Sequence, residues 1–100
     1  MKAMRFIPRF PYVVRAVRLT RENALDVVMW VEDGVSDKDA RALQEVVSDP
    51  DIPGFDLGIY SSDAFWANWG DWIVFSVEDG FRAVNDGVFN VLYEMEGSYE

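Results

Sequence analysis

The hydrophobic period of this chain changes three times, the last at a helical stretch from Asp86, and that feature most constrains what it can fold into. Phe10 to Thr20 (FPYVVRAVRLT) is a run rich in β-branched residues behind Pro8 and Pro11. From Glu22 to Ser48 the apolar residues recur every three or four positions, and from Asp71 to Val84 they alternate again. Alternation marks a strand and a period near 3.6 a helix, so sheet and helix must share one small core. One hundred residues are enough for a single core. The expected architecture is α+β: one small domain over residues 1–100, with a mostly antiparallel sheet of about four strands and about two to three helices packed on one face.

Within that frame, Phe10–Thr20 is expected as a strand in which Val13, Arg15, Val17 and Leu19 alternate with Val14, Ala16, Arg18 and Thr20. Glu22–Glu32 is expected as a helix with Leu25, Val28 and Val31 on its apolar stripe, Ala24 and Val27 beside them, and Asp33-Gly34 closing it. Ser36, three residues before Asp39, caps a second helix whose stripe is Ala40, Leu43, Val46 and Val47, and Pro50 stops it. Asp49–Asp56, with two prolines and a glycine, reads as a loop. Leu57–Ser61 reads as a short strand. Asp71–Val77 and Gly80–Val84 read as a hairpin turned at Glu78-Asp79-Gly80. Asp86–Glu96 carries Val88, Leu92 and Met95 at helical spacing, with Phe89 beside them and Tyr93 four residues on as its packing partner.

Charge is unevenly divided. Residues 1–21 hold six bases and no acid, whereas the rest hold all eighteen acids and only Lys38, Arg41 and Arg82. The basic segment, residues 1–21, is expected inside the fold with its arginines paired to acidic neighbours, and a flexible basic arm over residues 1–9 is the alternative. A net charge of −9 excludes a general phosphate-binding surface, so no direct contact with nucleic acid is expected.

The chain contains neither cysteine nor histidine. Thiol nucleophiles, thiolate zinc sites, disulfides and imidazole bases are therefore excluded. Asp49, Asp51 and Gly54 fall on the first, third and sixth positions of a calcium loop, but Pro53 and Tyr60 stand where oxygen ligands are required. No phosphate loop or nucleophile elbow is present. The expectation is a non-catalytic protein with no cofactor and no metal. No apolar run is long enough to span a bilayer, so no membrane association is expected and the location expected is cytoplasmic.

Two surfaces remain as candidates for binding. Phe65, Trp66, Trp69 and Trp72 place four large aromatics within eight residues. Adjacent Phe65 and Trp66 in an extended stretch face opposite ways, so one ring is expected at the surface, with Asp63 and Asp71 near it. This patch, Phe65, Trp66, Trp69, Asp63 and Asp71, is the expected site for a protein partner or for a homodimer. The second surface is acidic: Glu45, Asp49, Asp51 and Asp56 lie in a stretch without a base. It is either a solvated face or an imitation of the phosphate array of DNA. A third reading, sequestration of a nucleotide signal, would draw its donors from Arg15, Arg18, Arg21 and Arg82. Gly70 and Asp71 form a structural turn, with Gly70 at positive φ.

Several short motifs in order resemble a group of small bacteriophage proteins of unknown function. They are Val14, Ala16, Val17 and Thr20; Asn23 with Trp30 and Val31; Gly70-Asp71-Trp72-Ile73; and Phe89, Tyr93 and Glu94. The likeness covers the chain except for about residues 34–56. This chain departs at Trp69, where the group has Pro, and at Ser61-Ser62-Asp63-Ala64, where the group has a glycine turn. The resemblance implies a phage gene product outside the virion core, and it implies no reaction; the location expected is the host cytoplasm.

Overall fold

The computed structural model describes residues 3–8, 14–32, 34–57, 64–77 and 79–95, without the side chains of 4–8 and 93–95. The architecture is α+β, with three helices and two antiparallel sheets among the described residues. The strands divide between a five-stranded and a two-stranded sheet, where the periodicity pointed to one sheet of about four. By their contacts the elements group into two compact units, residues 19–69 and residues 2–18 with 70–100.

The second unit holds strands β1 (Met4–Pro8), β2 (Val14–Arg18), β5 (Trp72–Ser76), β6 (Gly80–Val84) and β7 (Tyr93–Met95), in the order β6-β5-β2-β1-β7. Helix α3 (Asp86–Leu92) packs on it through Phe89, which is 2% exposed and meets Val14, Ala16 and Val74. The expected hairpin is present. Ser76 pairs with Gly80, Gly80 takes φ +72, and the buried Ser76 hydroxyl accepts the Asp79 amide at 3.0 Å. Strand β5 is enclosed on both faces, since the neighbours Ile73 and Val74 are each inaccessible.

Four expectations are corrected in this unit. Met4–Pro8 is not a free arm: β1 pairs with β2 on one edge and β7 on the other, which satisfies its backbone donors and acceptors on both sides. The last helix ends at Leu92, and Tyr93–Met95 is a strand because the open edge of β1 offers pairing that outweighs local helical spacing. The Phe89–Tyr93 pair on one helix is thereby replaced by a stack of Phe89 on Trp72, with centroids 4.2 Å apart and planes 6° from parallel. Val88, placed on the stripe, is exposed.

The first unit holds α1 (Ala24–Glu32), α2 (Asp37–Ser48), β3 (Gly54–Leu57) and β4 (Phe65–Asn68). Ahead of α1, the Thr20 amide donates to Asn23 Oδ1 at 2.8 Å and the Asn23 amide donates to Thr20 Oγ1 at 3.2 Å, a reciprocal pair of the capping-box kind. The buried face of α1 is Ala24, Val27 and Val28, and Leu25 is exposed rather than part of the stripe. Ser36 caps α2 as expected: its Oγ accepts the Asp39 amide at 3.2 Å, while its hydroxyl donates to Asp39 Oδ2 at 2.9 Å. Strand β3 starts at Gly54, inside the segment read as loop, and residues 58–61 of the expected strand lie outside the described residues. Gly54 permits this start: a Cβ there would overlap the carbonyl oxygen of Ala67 on the facing strand.

Candidate functional site

The aromatic cluster separates into rings with different duties. In β4, Phe65 and Ala67 turn inward and Trp66 and Asn68 outward. Trp66 is 49% exposed, alone among the four tryptophans in being open to solvent. Its indole N–H donates to Asn68 Oδ1 at 2.9 Å, two residues along the same face. The register places Asp56, also exposed, directly opposite Trp66 on β3. An indole, an amide and a carboxylate thus lie side by side on the outer face of a two-stranded sheet, within the contact distance of cross-strand neighbours.

Trp69, expected with Trp66 as an anchor, is half-buried and held by the fold. Its indole donates to the Ile52 carbonyl at 2.8 Å, its amide donates to Pro53 O at 3.0 Å, and its ring meets Phe55 at 5.3 Å. Arg21 covers the same ring and donates to the carbonyls of Val47, Asp49 and Ile52 at 2.7, 2.9 and 3.0 Å. These acceptors lie at the C-terminal end of α2 and in the loop Asp49–Pro53, whose two prolines have no N–H to offer. A cation there also complements the helix dipole. Arg21 was expected to meet an acid; it takes carbonyls instead, because the capped turn before α1 sets it beside the exhausted end of α2.

The acidic surface is exposed as expected at Glu45, Asp49, Asp51 and Asp56, all in the first unit. Asp49 also has a local task, with Oδ1 accepting the Asp51 amide at 2.9 Å. Asp63 lies outside the described residues. Asp71 is half-buried and belongs to the second unit.

Gly70-Asp71-Trp72-Ile73 does structural work. Gly70 takes φ +91, and its carbonyl accepts Arg18 Nε at 3.0 Å. Trp72 donates to Asp86 Oδ1 at 2.9 Å, tying β5 to the first turn of α3, with Arg18 Nη2 3.9 Å from the same oxygen. Arg15 and Arg82, two of the candidate anion donors, do not share a site. Arg15 faces Phe75 across β2 and β5 while Arg82 faces Val74, so the two lie on opposite sides of the sheet.

Sequence reasoning missed a groove in the first unit. Val28 and Glu32 of α1, Leu43 and Val46 of α2, and Phe55 and Asp56 of β3 border a cavity of ≈ 250 Å³, with Val35 and Asp39 beside them. The signal was present in α2, whose stripe is clear but whose partner is not contiguous in sequence. Among the described residues no cluster of carboxylates is gathered to hold a metal ion, and no helix is long and apolar enough to cross a membrane. Compared with protein-family models, curated proteins and solved structures, the chain matches none.

Proposed function

We propose that this chain is a non-catalytic bacteriophage accessory protein that binds, and modulates or inhibits, a host protein through an aromatic and acidic surface centred on Trp66 and Asp56. The observation that carries the reading is the exposed indole of Trp66 beside an exposed carboxylate. Exposed aromatic side chains are enriched among the anchors of protein interfaces, where truncation costs about 2 kcal/mol or more. The phage setting rests on the ordered motifs from Val14 to Glu94. The test is capture of proteins from host lysate by the purified chain. Wild type retains a partner that Trp66→Ala releases, and recovery of the same proteins by both refutes the anchor.

Mimicry of DNA is the second reading, favoured by exposure of Glu45, Asp49, Asp51 and Asp56. It requires a partner with a DNA-binding cleft and a complex that weakens by about tenfold or more between about 50 and 200 mM salt. A complex indifferent to salt removes it. The nucleotide-sequestering reading has no comparable support, since no basic residue lines the groove.

A further inference from the structure

The chain contains three Asp-Gly pairs, Asp33-Gly34, Asp79-Gly80 and Asp86-Gly87. Such a pair carries chemistry of its own. The backbone nitrogen after an aspartate can attack that residue's side-chain carboxyl, and glycine, having no Cβ, is the follower that shields the nitrogen least. Whether the reaction runs in a folded protein depends on how the fold holds the carboxyl and the backbone around it. Asp33 lies outside the described residues. The other two pairs both belong to the second unit, and the fold holds them differently.

Asp86 is restrained twice. Its Oδ1 accepts the Trp72 indole N–H at 2.9 Å and lies 3.9 Å from Arg18 Nη2. Its backbone is the first residue of α3, under a cap in which Asn85 Oδ1 accepts the Val88 amide and Asn85 O accepts the Phe89 amide, both at 2.9 Å. A helical backbone keeps the following nitrogen away from the side-chain carboxyl, so Asp86 must leave both the helix and the indole before it can react.

Asp79 has neither restraint. It is exposed in the turn between β5 and β6, and its carboxylate meets no donor among the described residues. Gly80 takes φ +72, and nothing stands within 4 Å of where its Cβ would be. The Asp79 amide is held by the Ser76 hydroxyl at 3.0 Å, on the opposite side of the residue from the Gly80 nitrogen. Gly80 itself pairs with Ser76 at the end of the ladder, where local opening costs least.

We infer that Asp79-Gly80 is a site of spontaneous isomerisation in the folded chain, and that Asp86-Gly87 is protected. The Gly80 nitrogen gives up its proton and bonds to Asp79 Cγ, the Cγ–OH bond breaks, one water leaves and a succinimide ring closes. Water then adds to either ring carbonyl. Opening at one restores aspartate; opening at the other yields isoaspartate, whose main chain runs through the former side chain and is one methylene longer. Water is the sole co-reactant. The added methylene falls where β6, the outermost strand of the large sheet, begins.

The test is peptide mapping after prolonged incubation of the intact chain at neutral pH. Isoaspartate is labelled by a methyltransferase specific for it and located by fragmentation. Cleavage after Arg41 and Arg82 puts the two sites on separate peptides, 42–82 and 83–100. Isoaspartate is expected to accumulate at position 79 about tenfold or more faster than at 86, which must first break the bond from Trp72 and its helical turn. In guanidinium chloride the two rates should converge to within about twofold, because unfolding removes the restraint. Asp79→Glu keeps the charge at an exposed position but closes the larger ring far more slowly, so it should remove the label from peptide 42–82. Equal rates in the folded chain, a faster reaction at 86, or a label that persists on 42–82 in Asp79→Glu overturns the inference. So does a difference that survives in denaturant, which would assign it to local sequence rather than to the fold.

Discussion

The guanidinium carbon of Arg21 lies 4.8 Å from the centre of the Trp69 ring, and both side chains donate to one acceptor, the carbonyl of Ile52. Lysine at position 21 keeps the charge but loses the planar fork that reaches three carbonyls. Arg21→Lys is expected to lower stability by about 2 kcal/mol in urea unfolding, with the slope unchanged. A loss below about 0.5 kcal/mol would show that the clamp contributes little.

Trp66 and Trp69 lie three residues apart but should respond oppositely to truncation. Trp66→Ala is expected to change stability by less than about 0.5 kcal/mol, and Trp69→Ala to cost about 2–3 kcal/mol because that ring is half-buried and hydrogen-bonded. Acrylamide quenching gives an independent check, since Trp66→Ala should remove the most accessible fraction of the indole emission.

Gly54→Ala tests the close approach of β3 and β4. The added methyl overlaps the backbone of Ala67, which cannot move as a flexible side chain would. A loss of about 2–3 kcal/mol is expected by thermal or chemical unfolding, and a neutral outcome would mean that the strands separate freely.

In the five-stranded sheet, Phe89→Ala should cost about 3–5 kcal/mol, because the ring is enclosed and stacked on Trp72. Trp72→Phe keeps a ring for the stack but removes the indole donor to Asp86 and part of the stacked surface, so about 1–2 kcal/mol is expected. Unfolding curves of the two variants should separate by that difference.

What the sequence disclosed was what depends on neighbours a few residues away. Ser36 as a cap, Gly80 as a hairpin turn and the opposite facing of Phe65 and Trp66 each follow from spacing and backbone chemistry, and each is present. Features needing distant partners were hidden. Arg21 reaches carbonyls twenty-six to thirty-one residues away, which no local pattern encodes. Tyr93–Met95 carries a helical signature and becomes a strand because β1 presents an edge. The groove escaped for a related reason: Val28 and Leu43 read as ordinary stripe positions and Phe55 fell in a segment read as loop, and only the pairing of their elements leaves a space between them.

The place of β1 between β2 and β7 has a consequence for how the molecule comes into being. Phe6 pairs with Met95, so one side of β1 finds its mate eighty-nine positions further along the chain. Until that distant pairing forms, β1 keeps an unfinished border, and closing the large sheet is a non-local, hence slow, step of folding.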